Sequence, residues 1–390
     1  MKDIVIIEGA RTPMAEYGGH FSDISAIDLA ALAAREALSR SGTAPEEIDH
    51  VIVGNALQTS SDAIYGARHV GLKAGVPNKV PALTVNRLCG SGIQSVVSAA
   101  EQIMLGEAGT VLAGGMENMT QAPHVIRGAR KGFRFGQGQL EDSLMVALLD
   151  TYTGLYMAQT SDNLARRYEI SREEQDEFAL ASQQKAAAAG ERLREEKFAV
   201  PVGRRQELFA ADDHMKPDST MEGLSKLKPA FAKDGFVTAG NASGIVDGAA
   251  MVVVTSAEKV STNGKKPLAR VVSWGIAGCD PDVMGIGPVP ATHIALEKAG
   301  MKLEDMDLIE VNEAFAGQIL AVVKELGIDR NKLNVNGGAI ALGHPLGATG
   351  TRLLLTLAYE MRRRGVKYGI ASACIGGGQG AAMILENPAA

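Results

Sequence analysis

Arg35-Glu-Ala-Leu-Ser-Arg-Ser-Gly-Thr-Ala-Pro-Glu-Glu-Ile-Asp49 and His293-Ile-Ala-Leu-Glu-Lys-Ala-Gly-Met-Lys-Leu-Glu-Asp-Met-Asp307 are two versions of one phrase. Aligned without a gap, they match Ala37 with Ala295, Leu38 with Leu296, Gly42 with Gly300, Glu46 with Glu304 and Asp49 with Asp307. In both, apolar residues at helical spacing run to a glycine that ends the helix, and a short strand-like run follows: Val51 to Val53, then Ile309 to Val311. Such a repeat predicts a duplicated α/β unit, two similar halves with mixed sheets layered by helices that face a shared cleft.

Outward from the repeat, strands and helices alternate. Strands are expected from Asp3 to Glu8, Val51 to Gly54, Val80 to Val85 (buried) and Thr110 to Ala113. Helices are expected from Ile27 to Ser41, Asp62 to Ala74 and Ile93 to Leu105. After Asn118 the texture changes. Residues 119–248 hold a basic Gly-rich loop, two helices (Tyr156 to Glu169 and Ser171 to Lys197) and a Pro/Lys/Asp-rich tract from Asp212 to Gly235. The second helix opens with Ser171-Arg-Glu-Glu174, the form of a capping box. The expected organisation is an N-terminal α/β half at 1–118, an inserted lid or docking domain at 119–248, and a C-terminal α/β half at 249–390.

Three stretches carry candidate chemistry. Asn86-Arg-Leu-Cys89-Gly-Ser-Gly92 sets one cysteine at a strand-to-helix turn, where free N–H groups and the positive helix end favour thiolate over thiol. Asn336-Gly-Gly-Ala-Ile-Ala-Leu-Gly-His344-Pro-Leu-Gly-Ala-Thr-Gly350 offers a histidine as general base. Ile370-Ala-Ser-Ala-Cys374-Ile-Gly-Gly-Gly-Gln-Gly380 offers a second thiol able to act as acid or base. The repeat places Cys89 within a few residues of the counterpart of His344, so the two halves are expected to present these groups to one cleft.

Composition narrows the class. In 390 residues, 46% are hydrophobic, 22% charged and 4% aromatic, with 45 glycines and 15 methionines, a pattern of an Ala/Gly-rich enzyme rather than a secreted scaffold. The three cysteines, Cys89, Cys279 and Cys374, are odd in number and far apart, which argues against a disulfide framework or a zinc site, and the histidines show no metal-ligand spacing. The start, Met1-Lys-Asp-Ile-Val-Ile-Ile, does not read as a signal peptide and no apolar run reaches the length of a membrane span, so a cytoplasmic location is expected. A net charge of −6 gives no reason to expect nucleic acid. Two local basic clusters stand out, Arg127, Arg130, Lys131 and Arg134, and Lys216, Lys226 and Lys228, either of which is a solvated face or a dock for a phosphorylated substrate.

With Thr238-Ala-Gly-Asn-Ala-Ser243-Gly, Met284-Gly-Ile-Gly-Pro288, Asn312-Glu-Ala-Phe315-Ala and the three motifs above, the chain resembles the thiolases over its whole length, closest to acetyl-CoA acetyltransferases and short-chain 3-ketoacyl-CoA thiolases. The resemblance implies an acyl-thioester on Cys89, deprotonation aided by His344, and removal of an acetyl-CoA α-proton by Cys374. It also implies one oxyanion hole at His344 with a water held by Asn312, and another at the N–H groups of Cys89 and Gly376. Ser243, Lys216, Met157, Phe231, Met284, Ala314 and Phe315 match positions that bind CoA or line its pantetheine tunnel. Acyl-CoA and CoA are then substrates, no cofactor or metal is needed, and the family's assembly implies a homotetramer joined through the loop at Arg127 to Arg134. Tyr156, Lys216 and Gly223 depart from the family pattern and bear on CoA affinity and acyl-chain preference. The alternatives are a degradative thiolase of longer chains, a decarboxylating ketoacyl synthase, or a thiolase-like acyl-CoA or lipid-binding protein without turnover.

Overall fold

The computed structural model describes residues 3–262 and 266–390; Met1 and Lys2, part of the opening run read above, lie outside them. Nine main strands form one sheet: β1 (Ile4–Arg11), β2 (His50–Gly54), β3 (Ala82–Val85), β4 (Thr110–Glu117), β5 (Val246–Ser256), β6 (Ala269–Gly278), β7 (Leu308–Val311), β8 (Tyr368–Ile375) and β9 (Gln379–Glu386). Their order is β7-β8-β9-β6-β1-β5-β4-β2-β3, and the two-residue strand Ala15–Glu16 adds to β5. The helices that matter to the site are α1 (Ala26–Ser41), α2 (Ser91–Leu105), α3 (Met157–Arg167), α4 (Arg172–Ala188), α5 (Pro288–Ala299), α6 (Ala316–Leu326) and α7 (Leu346–Arg364).

The duplication extends to hydrogen bonds. β2 runs parallel to β4 with His50 opposite Val111, and β7 runs parallel to β8 with Leu308 opposite Gly369. The sequence separation between the two pairings is the one that relates Ala37 to Ala295. The repeated aspartates make equivalent bonds. Asp49 accepts the N–H groups of Gly109 and Thr110, both at 2.9 Å, and Asp307 accepts those of Lys367 and Tyr368 at 2.9 and 3.0 Å. Gly42 and Gly300 close α1 and α5 in the left-handed conformation, at φ 59° and 65°.

The sheet packs one face against α2 and α7, which lie together in the middle of the molecule. Ile52, Val111, Val252, Ile93, Leu353, Ala371 and Met383 belong to that central core. α1 covers the outer face of the first half, α5 and α6 that of the second. The two central helices approach closely because each has glycine at the crossing. A Cβ on Gly92 would lie 2.4 Å from the Thr351 nitrogen and 3.0 Å from the Gly350 carbonyl carbon; one on Gly350 would lie 2.4 Å from the Ile93 nitrogen and 2.9 Å from the Gly92 carbonyl carbon. Cys89 and His344 stand just ahead of these two helices, so this contact sets how far apart they are.

Two elements differ from the sequence reading. The boundary expected at 248/249 cuts β5, which pairs with β1 on one side and β4 on the other, so the first half is completed by a strand from beyond the insertion. The run Val80 to Val85, expected as a buried strand, is a half-buried strand at the sheet edge from Ala82, with Leu83 exposed. Apolar composition alone cannot separate a central strand from an edge strand. Within the insertion, α4 is capped as expected, Ser171 Oγ accepting the Glu174 N–H at 3.1 Å and Glu174 accepting the Ser171 N–H at 2.7 Å. The insertion is anchored by a fully buried Arg11 on β1, which binds Glu196 at 2.5 Å and Asp212 at 2.8 Å, with Lys197 also on Asp212 at 2.8 Å. No helix among the described residues is long and apolar enough to cross a membrane.

Candidate active site

The chain leaves edge strand β3 and turns into α2 through a strained corner. Leu88, the residue before the cysteine, sits at φ 45°, in the left-handed region that branched side chains avoid. Three hydrogen bonds hold it there. Asn86 Oδ1 accepts the Leu88 N–H at 2.9 Å, Ser91 Oγ accepts the Arg87 N–H at 2.9 Å, and the Ser91 hydroxyl donates to the Leu88 carbonyl at 2.7 Å. Cys89 therefore has a fixed direction. Its thiol meets the backbone N–H of Gly376, from the turn after β8.

The environment decides the protonation state against the sequence expectation. Burial pushes the Cys89 thiol up to about 11, with Glu117 adding to the rise, and the N–H groups of Gly376 and Cys89 only partly offset this. The resting protein thus holds a thiol, not the thiolate expected from the helix end. Cys374, at the end of β8 and almost wholly buried, is pushed well above its ordinary range by burial and by the proximity of Cys89. Both sulfurs need a base at the moment of reaction.

His344 lines the same cavity as both sulfurs. It is buried, its backbone N–H bonds the Gly244 carbonyl at 2.9 Å, and its two ring nitrogens have distinct neighbours. Nδ1 lies 2.6 Å from Thr349 Oγ1, and the Thr349 hydroxyl donates to the Pro345 carbonyl at 2.9 Å. That leaves Thr349 as acceptor, which assigns the proton to Nδ1 and the lone pair to Nε2. Nε2 lies 3.3 Å from Asn312 Nδ2. Burial, then the charge of Arg352, lowers the imidazole to about 3, so at any ordinary pH it is neutral with Nε2 unprotonated.

Cys89, His344 and Cys374 open into one cavity of about 190 Å³, lined mainly by apolar groups. Met157, Phe231, Ser243, Met284, Ala314 and Phe315 line it too. Asn312 is buried behind His344, and Gly376 lies under Met157 and Leu88, where a Cβ would come within 3.2 and 3.3 Å of them. Lys216 is not brought in: its ammonium is exposed and pairs with Glu16 at 3.3 Å, away from the lining.

The cavity also takes Met119, Leu148, Ile245 and Leu346, none of which the sequence reading assigned to it, and Tyr156, which that reading tied to acyl-chain preference. Tyr156 packs on Phe231 with ring centroids 5.4 Å apart. Glu117 was missed as well. Wholly buried, it accepts the N–H groups of Ala56, Leu57 and Gly347 at 3.0, 3.0 and 2.9 Å, and burial pushes it up to about 7. A carboxylate in the apolar run Thr110 to Glu117 was the available signal, because a buried charge must find donors. By holding the first turn of α7, Glu117 ties the helix that follows His344 to the half that carries Cys89.

A fixed cysteine, a neutral histidine and a second cysteine on one narrow apolar cavity could support acyl transfer through a thioester. Comparison with known proteins gives the family: residues 4–258 match the thiolase N-terminal domain and residues 265–387 the thiolase C-terminal domain, and the chain belongs to the thiolases. It is 51% identical over 394 residues to human mitochondrial 3-ketoacyl-CoA thiolase, covering 100% of this chain and 99% of that one. It is 48% identical over 392 residues to an acetyl-CoA acetyltransferase of Chromobacterium violaceum, covering 99% and 100%. The crystal structure of the human mitochondrial enzyme in complex with CoA superposes with a TM-score of 0.97 at 52% identity, covering 99% of this chain and 98% of that one. These relatives correct the expected location. Those at 50–52% identity are mitochondrial enzymes and point to mitochondria rather than the cytoplasm. Free thiols and the lack of an apolar span are common to both compartments, so composition could not tell them apart.

Proposed function

We propose that the chain catalyses the Claisen condensation of two acetyl-CoA to acetoacetyl-CoA plus CoA, and the reverse thiolysis of short-chain 3-ketoacyl-CoA. The observation that carries this is the meeting of Cys89, His344 and Cys374 in one narrow cavity. His344 Nε2 takes the Cys89 proton as Sγ attacks the thioester carbonyl. The N–H groups of Cys89 and Gly376 receive the negative charge on that oxygen, and CoA leaves with the proton. Cys374 then passes its own proton to the freed His344 and, as thiolate, removes the α-proton of a second acetyl-CoA, whose thioester oxygen is met by protonated His344 and a water held by Asn312. The enolate carbon attacks the acyl-Cys89 carbonyl, and the departing Cys89 sulfur takes the proton back from His344. Sulfur already makes the carbonyl electrophilic and the α-proton acidic, so the proposed steps call on no metal or redox cofactor.

The insertion at 119–248 serves in this reading as the dock for CoA. Met157, Phe231, Ser243, Met284, Ala314 and Phe315 hold the pantetheine arm, and Lys216 contributes charge nearer the nucleotide. A homotetramer fits the loop from Arg127 to Glu141, which carries Phe133, Phe135 and Leu140 exposed beside its basic residues. Large apolar side chains on a basic loop are what a subunit contact would cover. The longer-chain degradative reading is favoured by the identity to 3-ketoacyl-CoA thiolases, and it uses the same residues. A thiolysis series on purified enzyme, from acetoacetyl-CoA to longer 3-ketoacyl-CoA, tests the proposal. It expects the highest kcat/KM with acetoacetyl-CoA, together with measurable condensation; a maximum at long chains, or no turnover with any member, rejects it.

A further inference from the structure

Glu117, the last residue of β4, is buried beside the cavity without lining it, and the proposed steps leave it unused. Its two oxygens accept four hydrogen bonds. Oε1 takes the Leu57 N–H at 3.0 Å and the Asn55 side-chain amide at 2.8 Å; Oε2 takes the Ala56 N–H at 3.0 Å and the Gly347 N–H at 2.9 Å. Four donors fill the four lone-pair positions of a carboxylate and leave none for a proton, so they hold the group ionised against the burial that pushes it up.

Each arm of this clasp leads to a reactive residue. On one side, residues 55–57 hold the chain that enters the cysteine corner. The Asn55 N–H donates to the carbonyl of Val85, the last residue of β3, at 3.0 Å, and the Asn86 side-chain amide donates to the Ala56 carbonyl at 3.2 Å. Asn86 Oδ1 in turn accepts the N–H of Leu88, the neighbour of Cys89. On the other side, Gly347 lies in the first turn of α7, three residues after His344 and two before Thr349, whose hydroxyl meets the imidazole. Among the described residues, Glu117 is the one side chain hydrogen-bonded both to residues 55–57 and to the turn from His344 to Thr349. We infer that Glu117 is a positioning residue for the proposed acyl transfer: one carboxylate clasps the segment that aims Cys89 and the turn that carries His344, and so sets sulfur and imidazole relative to each other. A neutral group of the same size cannot replace it. In Glu117→Gln the amide nitrogen accepts nothing, so either the Leu57 and Asn55 donors or the Ala56 and Gly347 donors lose their acceptor, and one arm of the clasp opens.

The inference rests on the function proposed above, yet the first reading of its test needs no CoA. Crystal structures of the unmodified protein and Glu117→Gln are expected to differ by about 1 Å in the separation of Cys89 Sγ from His344 Nε2, a misplacement that slows acetylation of Cys89 by acetyl-CoA about a hundredfold. Alkylation of Cys89 by iodoacetamide at pH 9, located by peptide mass mapping, needs the thiolate but not His344. It is expected at the unmodified rate or above, because the Glu117 charge opposes that thiolate. Glu117→Asp keeps the charge with a reach one methylene shorter, and is expected to change the separation and slow acetylation as Glu117→Gln does; it decides the matter if the Gln variant does not fold. An unchanged separation in folded Glu117→Gln, acetylation and alkylation that fall together, or a Glu117→Asp protein that acetylates at the unmodified rate would overturn the inference. Failure of the unmodified protein to take an acetyl group would count against the proposed function alone, and the separation would still decide the role of Glu117.

Discussion

Replacing Gly350 by alanine tests how the two halves set the site. In an open helix the change would stabilise by about 1 kcal/mol, because glycine is the poorer helix former. Here the new methyl carbon would start 2.4 Å from the Ile93 nitrogen and 2.9 Å from the Gly92 carbonyl carbon, both backbone atoms of α2. Neither can rotate away, so the helices must separate, and overpacking of this kind costs typically about 1–3 kcal/mol or somewhat more. The net effect is a loss of about 0–2 kcal/mol, modest for a chain of this size. The catalytic effect is expected to be larger. Separating α2 from α7 also separates Cys89 from His344, and a misplacement of about 1 Å can cost about a hundredfold in rate. The assay is the rate of Cys89 acetylation by acetyl-CoA, read by quenched-flow intact mass, with the urea midpoint measured on the same preparation. Gly190→Ala, in a short helix where an added Cβ meets nothing within 4 Å, is the control and should leave the acetylation rate unchanged without lowering the urea midpoint. An unchanged acetylation rate in Gly350→Ala, or a rate loss no greater than its fraction unfolded, would refute the reasoning.

Cys374→Ser should keep appreciable acetylation of Cys89 while losing most exchange of acetyl-CoA methyl protons with solvent, measured by NMR; equal loss of both would reduce Cys374 to a packing residue. Arg11→Met leaves Glu196 and Asp212 buried without their main cation and should cost about 3–5 kcal/mol in denaturant unfolding. Burial opposes ionisation of Asp212, but Arg11 and Lys197 outweigh it and hold the group below the usual carboxylate range. Its contribution is therefore full above the unfolded value of about 4 and is lost as pH falls, so Arg11→Met should show a shallower acid loss of stability than the unmodified protein. Deleting Gly128 to Gly132 should leave acetylation of Cys89 intact and convert a tetramer to a dimer by light scattering; a full-length protein that is already dimeric at micromolar concentration removes the tetramer.

The duplication was legible because the features that repeat are the ones each unit cannot do without: the glycine that closes α1 or α5, and the aspartate that holds the N–H groups before β4 or β8. The reactive residues were legible for a related reason, since glycines crowd only where backbones must approach. What the sequence did not disclose lies in pairings between distant segments. Nothing local in Val246 to Ser256 says that it completes the first half across an insertion, nor that Ala82 to Val85 has a neighbour on one side only. The protonation state of Cys89 was misjudged for a similar reason: the helix end is visible in sequence, whereas the burial that outweighs it is a property of packing.

The central claim is that an acyl group passes through Cys89. Brief incubation of the unmodified protein with acetyl-CoA, followed by peptide mass mapping, is expected to show one acetyl group per chain located on Cys89, and none on Cys89→Ala. An acetyl group found at Cys279 or Cys374 instead, or no acetyl group while condensation proceeds, would contradict it.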